Sequence, residues 1–270
     1  MKEINQTSQK NVGIIGAGNI GLAIAKGLVN HGGYSHSQIW LSRKRLRLLD
    51  DYKKEGFGVG ESLELVRHCD VLVLAVLPSQ ARELLTSLLS ALKDQDKILV
   101  SVVSAVSLNE LESWTENALP VVRVMPNTAS EFGAGMTCIS GHDEAAIETV
   151  KELFDSLGLS MVIKEQLMPA ATILAACGIA FFLRYIRAVS QGGIQIGFHA
   201  GEAGLIAAQT ARGAAELLMQ TGNHPEEEID RVTTPMGCTI AGLNEMEHHG
   251  LSSSMIRGIV KSYSGISDLK

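Results

Sequence analysis

The stretch Val12-Gly-Ile-Ile-Gly-Ala-Gly-Asn-Ile-Gly21, continuing through Leu22-Ala-Ile-Ala-Lys-Gly-Leu28, limits what this chain can fold into more than any other. An apolar run enters a turn spaced G-x-G-x-x-G at Gly16, Gly18 and Gly21, and Ala23, Ile24 and Leu28 then recur at helical intervals. A strand–turn–helix of this kind uses its first glycine for a tight reversal, its second for close approach of a phosphate, and its third for helix–strand packing. The helix start offers unpaired N–H groups at the positive end of its dipole, which suits a pyrophosphate. The spacing predicts a dinucleotide cradle at Gly16, Ala17, Gly18, Asn19, Ile20 and Gly21. A purely structural turn is the competing reading.

Downstream, short apolar runs alternate with helical patterns. Strands are expected at 38–41, 70–76, 97–103, 121–124 and 160–163, and helices at 46–55, 79–92, 108–116 and 143–157, with Ser107 capping the third helix. This alternation predicts an α/β fold over residues 1–165, a doubly wound parallel sheet of Rossmann type, after a disordered lead-in at 1–10. The texture changes near Glu165. Residues 166–270 show helical periodicity, many Ala and Gly, and no convincing strand, with breaks expected at Gly192-Gly193, Gly222 to His224 and His249-Gly250. An all-α domain of about five helices follows, one so rich in small and apolar side chains that it shares its core with a second subunit; an ordinary monomeric helical domain is the alternative.

A net charge of −6 implies no bulk attraction to nucleic acid or to an acidic membrane surface. Cys69, Cys138, Cys177 and Cys238 form no C-x-x-C pair and read as free thiols of a reducing compartment, with no metal site. The N-terminal residues carry no apolar signal core, and the longest apolar run, Ala170 to Leu183, falls short of the roughly 20 residues that span a bilayer and is followed by Arg184 and Arg187. The expectation is a cytoplasmic protein without membrane partners.

About 20 positions past the glycines, a carboxylate suits the ribose 2′-hydroxyl of NAD and a basic residue suits the 2′-phosphate of NADP. Here the second strand ends at Ser42-Arg43-Lys44-Arg45 with no carboxylate, which favours NADP(H) over NAD(H). Ala75-Val76-Leu77-Pro78 and Val103-Ser104-Ala105 end successive strands, where ligands of such sheets bind, and are expected to flank the nicotinamide.

In the helical half, Thr233-Thr-Pro-Met-Gly-Cys-Thr239 is a hydroxyl-rich loop opening onto a helix at 240–248. On its own it is either a capped turn or a small-anion pocket.

Together, Gly16 to Ala25, Arg123-Val-Met-Pro-Asn-Thr128, Gln209-Thr210 with Gly213-Ala-Ala215, and above all Val232 to Leu243 resemble the pyrroline-5-carboxylate reductase family over almost the whole chain. The resemblance implies reduction of 1-pyrroline-5-carboxylate to L-proline, the last step of proline biosynthesis, and a C-terminal domain that dimerises by interleaving, with larger rings of dimers in some members. It places Ser42 and Arg43 at the 2′-phosphate, Ser62 near the adenine ribose, and Ala75, Val76, Leu77, Pro78 and Ser104 along the cofactor. It puts Gly237, Cys238 and Thr239 at the substrate carboxylate and ring nitrogen, with Thr239 the catalytic hydrogen-bonding hydroxyl.

The chain departs from the family pattern at several places. Ala175-Ala-Cys-Gly-Ile-Ala180 replaces S-G-S-G-P-A, Met236 and Cys238 replace small residues in P-G-G-T-T, and Leu77 stands where many members have lysine. Two alternatives therefore stand beside the main expectation: a reductase of a different cyclic imine, and a catalytically silent NADP-binding scaffold. A β-hydroxyacid dehydrogenase is disfavoured, because reducing a carbonyl calls for a proton donor and no lysine lies between Glu165 and Val260.

Overall fold

A computed structural model of the chain describes residues 10–93 and 95–266. The proposed lead-in at 1–10 lies, but for Lys10, outside the described residues. Strand β1 (Val12–Ile15) is buried at every residue because it runs through the middle of an eight-stranded sheet. The order is β3 (Gly58–Val59), β2 (Ile39–Ser42), β1, β4 (Val71–Leu74), β5 (Ile98–Ser101), β6 (Val121–Met125), β7 (Gly135–Gly141), β8 (Gly158–Val162). Parallel registers such as Val12↔Val71 and Val71↔Ile98 align the carboxyl ends of β1, β4 and β5 along one edge.

Helices cover both faces, which explains why these strands read as unbroken apolar runs. Val12, Ile14, Val71 and Val73 face α1 (Asn19–Asn30) and α6 (Glu144–Asp155), packing with Ile24, Leu28, Val150 and Phe154. Ile15, Leu72 and Leu74 face the other way, toward α3 (Ser62–His68), α4 (Pro78–Leu92) and α5 (Leu108–Trp114) through Leu65, Leu85 and Leu111. Each such buried aliphatic side chain contributes about 1.5–3 kcal/mol. The helix expected at 46–55 divides into a 3-10 turn, Leu46–Leu49, and a short α2, Asp50–Lys54.

One strand pair departs from the parallel expectation. β6 and β7 run antiparallel, with Val122 opposite Gly141. Only a five-residue 3-10 helix, Thr128–Phe132, lies between them, whereas a parallel neighbour needs a crossover of a dozen or more residues. The sequence pattern yields no strand over β7, where Gly135, Thr137, Ser140 and Gly141 interrupt the apolar signal. Its order comes from pairing with β6 and β8.

The chain divides into two compact units. One runs to Cys177 and takes in the residues from Tyr263 on; the other is Gly178–Ser262. The first unit ends in α7 (Met168–Ala171) and a π-helical turn at Thr172–Cys177. The second holds α8 (Gly178–Gln195), α9 (Ala200–Thr221), α10 (Pro225–Val232), α11 (Cys238–His248) and, up to Ser262, α12 (Leu251–Ser264).

The break expected at Gly192-Gly193 does not occur, since α8 passes through both. A Cβ on Gly193 would stand 3.1 Å from that of Ala203, so this glycine permits the approach of α8 to α9, and the chain reverses instead at Gly197, φ +113°. Among the described residues of these five helices only Gly178, Ser190, Ala203 and Ala207 are buried. Phe182 and Ile196 are 65% and 79% exposed. The helical run Glu165–Gln195, 31 residues with an apolar window of mean hydropathy 1.8, is long and apolar enough by length and composition to cross a membrane; helices that pair inside globular assemblies meet the same criteria.

Candidate active site

The order β3-β2-β1-β4-β5-β6 places a topological switch point between β1 and β4, where the flanking loops diverge and leave a crevice for ligand. Gly16 leaves β1 with φ +101°, and a Cβ there would lie 2.5 Å from the carbonyl oxygen of Ala75 at the end of β4. A Cβ on Gly21 would lie 2.8 Å from both the Gly16 carbonyl oxygen and Ile14 Cγ2. The protein itself therefore demands glycine at the first and third positions.

Gly18 differs. A Cβ there would meet nothing nearer than the Gly16 carbonyl oxygen at 4.0 Å, so the packing of the protein itself does not require glycine at this position. It is the N-cap of α1, with no side-chain cap bond and no acidic residue in the first turn. The N–H groups of that first turn, at Asn19, Ile20 and Gly21, have no intrahelical acceptor and are open to an anion. The N–H groups of Gly16 and Ala17 both donate to the Ser42 carbonyl at 2.8 Å, fixing the cradle to the end of β2.

Ser42 is buried, and its hydroxyl lies 3.3 Å from that of Ser62 at the start of α3. Arg43 beside it is half-buried and Lys44 and Arg45 are exposed. Among the described residues none of these three cations pairs with a carboxylate. Two hydroxyls beside uncommitted guanidinium groups have the chemistry to receive a dianion such as a phosphate ester.

At the next strand end, Ala75 N–H donates to the Ile15 carbonyl at 2.7 Å, Leu77 caps α4 with its side chain 65% exposed, and Pro78 opens the helix. After β5, Val102 N–H holds to the Leu74 carbonyl at 3.0 Å, and Ala105 adopts φ +59° beside Ser104. The expected Ser107 cap is present, with its hydroxyl accepting from Glu110 N–H at 3.3 Å.

Two contacts in this unit have no signature in the sequence pattern, although Arg123 to Thr128 stand out as a motif. Arg123, 4% exposed on β6, forms an ion pair with Glu165, whose Oε1 also accepts from Leu108 N–H at 3.2 Å. Asn127 accepts from Ala129 N–H at 3.1 Å and donates to the Ala175 carbonyl at 3.2 Å, inside the π-turn where S-G-S-G-P-A is missing.

The hydroxyl-rich loop lies in the second unit. Gly237 N–H donates to the Thr234 carbonyl at 2.9 Å, closing a turn with Pro235 and Met236 at its centre. Met236 adopts φ +59°, the left-handed conformation that the third residue of a type II turn requires and that glycine favours. The methionine that replaces the family's glycine thus keeps glycine's backbone shape, and its side chain stands wholly free, at 102% exposure. Gly237 then caps α11 with no side-chain bond and no acid in the first turn, and a Cβ there would lie 2.5 Å from Thr234 Oγ1. Cys238 and Thr239 form the first helical residues and are exposed.

All four cysteines are free thiols. Burial pushes the Cys69 thiol up to about 12 and raises that of Cys138, which keeps both protonated and unreactive. Among the described residues no cluster of His, Cys, Asp or Glu is arranged to hold a metal.

Comparison with known proteins adds to this geometry. Residues 165–269 match the family described as pyrroline-5-carboxylate reductase dimerisation, and residues 11–105 match one described as NADP oxidoreductase, coenzyme F420-dependent. A "pyrroline-5-carboxylate reductase 1" of Dictyostelium discoideum is 46% identical over 266 residues, covering 93% of this chain but 48% of that protein, so the chain spans about half of that relative. A "pyrroline-5-carboxylate reductase 2" of the same organism is 43% identical over 274 residues, covering 94% of this chain and 91% of that protein. Among solved structures, a pyrroline-5-carboxylate reductase from Coxiella burnetii superposes with a TM-score of 0.86 at 26% identity, covering 97% of this chain and 99% of that one.

Proposed function

The chain belongs to the pyrroline-5-carboxylate reductase family, and from that premise we propose that it is an NADPH-dependent oxidoreductase that converts 1-pyrroline-5-carboxylate to L-proline. The observation that carries the reading is that the chain holds both an anion receptor at Ser42, Ser62 and Arg43 in its first unit and, in its second, a helix start at Gly237, Cys238 and Thr239 without a side-chain cap. The first suits NADPH and the second suits a small carboxylate.

The first unit fits the cofactor. Gly16, Ala17, Gly18, Asn19, Ile20 and Gly21 would hold the pyrophosphate, Ser42 and Arg43 the 2′-phosphate, Ser62 the adenine ribose, and Ala75 to Pro78 with Ser104 the nicotinamide end. When bound, NADPH supplies the hydride that reduces C=N to CH–NH.

The residues of the second unit act on the imine. The N–H groups at the start of α11 would bind its carboxylate. A pyrroline nitrogen takes a proton from solvent readily, so no strong acid is needed, and Thr239 Oγ1 would accept the resulting N–H and fix the ring in plane. Orientation of this kind supplies much of the rate in a reaction whose acceptor is already activated. The absence of His, Asp and Lys between Thr233 and Gly242 suits this chemistry.

The match to the dimerisation family and the unburied apolar side chains of α8 to α12 support a homodimer, and a ring of dimers is the larger assembly we propose. Residues 166–270 act as the substrate and dimerisation domain in this reading. Free cysteines fit the reducing conditions of the cytoplasm. Met236 and Cys238, which replace small residues of the family's substrate loop, favour the second reading, a related cyclic imine as substrate. The test is Thr239→Ala. Losing one hydrogen bond to a charged ring nitrogen lowers kcat/KM about 10–100-fold, with NADPH affinity unchanged; equal losses in both remove Thr239 from the site.

A further inference from the structure

We propose that the ion pair of buried Arg123 with half-buried Glu165 is a positioning device that holds the 102–107 loop, and through it the nicotinamide end of the cofactor site, in its working shape. The inference rests on the reading that Ser104 and its neighbours flank the nicotinamide.

Three elements meet at Glu165. Its Oε1 pairs with the Arg123 guanidinium on β6 and accepts from Leu108 N–H at 3.2 Å, while Glu165 itself begins the helical run to Gln195. Leu108 is the first residue of α5 and directly ends the 102–107 loop. The other end of that loop hangs from Leu74 through Val102 N–H at 3.0 Å. Between these two anchors lie Ser104 and Ala105, the latter at φ +59°, a conformation an alanine holds only when its surroundings impose it.

The pair is poorly built for stability alone. Arg123 is buried and Glu165 half-buried, and their Nε and Oε2 atoms are enclosed with no hydrogen-bond partner among the described residues; a largely enclosed ion pair with unsatisfied atoms is commonly no better than a well-packed apolar pair. What an apolar pair cannot do is accept the Leu108 N–H and pull the end of the loop toward β6. This separates positioning from packing.

The experiment compares the wild type, Glu165→Leu alone, which removes the acceptor of Leu108 N–H, and the double variant Arg123→Met with Glu165→Leu. Hydrogen exchange over residues 102–110, the fluorescence of the bound nicotinamide of NADPH, thermal stability and turnover are measured for each. Exchange is expected to quicken in both variants, and the emission of bound nicotinamide to revert toward that of free NADPH, with NADPH affinity within about threefold because the phosphate contacts are untouched. kcat falls about tenfold or more, as misplacing a reacting group does, while KM for the imine holds. The double variant melts at or above the wild-type temperature yet keeps the slow turnover and fast exchange.

Recovery of loop protection and kcat in the apolar double variant overturns the proposal, because packing alone would then suffice. So does unchanged exchange over 102–110 in Glu165→Leu. A wild type that binds NADPH but reduces no pyrroline-5-carboxylate sinks the functional reading instead, and the exchange and fluorescence results still decide this one.

Discussion

Replacing Gly18 by alanine separates what the fold needs from what the cofactor needs. At φ −93° and ψ −158° Gly18 sits in extended backbone that alanine adopts freely, and the nearest atom to a new Cβ is 4.0 Å away. Folding stability should therefore change by no more than about 1 kcal/mol, the stiffer unfolded chain offsetting any crowding. In a protein of this size that moves Tm by at most about 4 °C. If, as proposed, a pyrophosphate binds the first N–H groups of α1, a methyl group at this N-cap crowds its approach. Displacing the phosphate from one charge-assisted N–H bond costs about 1.5–3 kcal/mol, or about 10–100-fold in Kd.

Gly16→Ala is the control. Its Cβ would lie 2.5 Å from the Ala75 carbonyl oxygen at φ +101°. Left-handed strain and overpacking together cost about 2–5 kcal/mol, so this variant melts well below the wild type or fails to fold. Fluorescence titration with NADPH and thermal melts of both variants make the comparison. A Gly18→Ala protein that binds NADPH within twofold of the wild type, or that melts as low as Gly16→Ala, refutes the reasoning.

Two other predictions concern the residues that distinguish this chain. Arg43→Ala should weaken NADPH about 10–100-fold by removing a charge-assisted contact to the 2′-phosphate, while NADH affinity stays put; parallel losses for both cofactors would place the 2′-phosphate elsewhere. Met236→Gly should leave the protein as stable or about 1 kcal/mol more stable, as left-handed strain is relieved and partly offset by a looser unfolded chain. Met236→Ala keeps the positive φ and should bring no gain, so equal melting of the two variants would show that Met236 carries no strain.

The cradle was legible because its chemistry is written in consecutive residues: Gly16 and Gly21 have no room for a Cβ, and Gly18 opens the helix start. The place of Ser42 and Arg43 at the end of β2 was legible for the same reason, at a fixed distance from the glycines, and their role at a 2′-phosphate is what Arg43→Ala tests. β7 was not, since its order comes from an antiparallel partner rather than from a periodic pattern of its own. Gly192-Gly193 misled because a paired glycine reads as a break, whereas α9 packs close enough to α8 to need one of them inside the helix. Arg123 and Glu165 are 42 residues apart, and nothing in local spacing joins them. Met236 stood out as a departure, but only the backbone shows that it holds a glycine's conformation.

The central claim is that this chain reduces a cyclic imine carboxylate at the expense of NADPH. It is tested most directly by mixing purified protein with NADPH and 1-pyrroline-5-carboxylate and following cofactor oxidation and proline together. L-proline is expected one for one with NADPH consumed, at a kcat within the ordinary enzymatic range of about 1–1000 per second. NADPH bound tightly with no proline formed would contradict it and leave a cofactor-binding scaffold in its place.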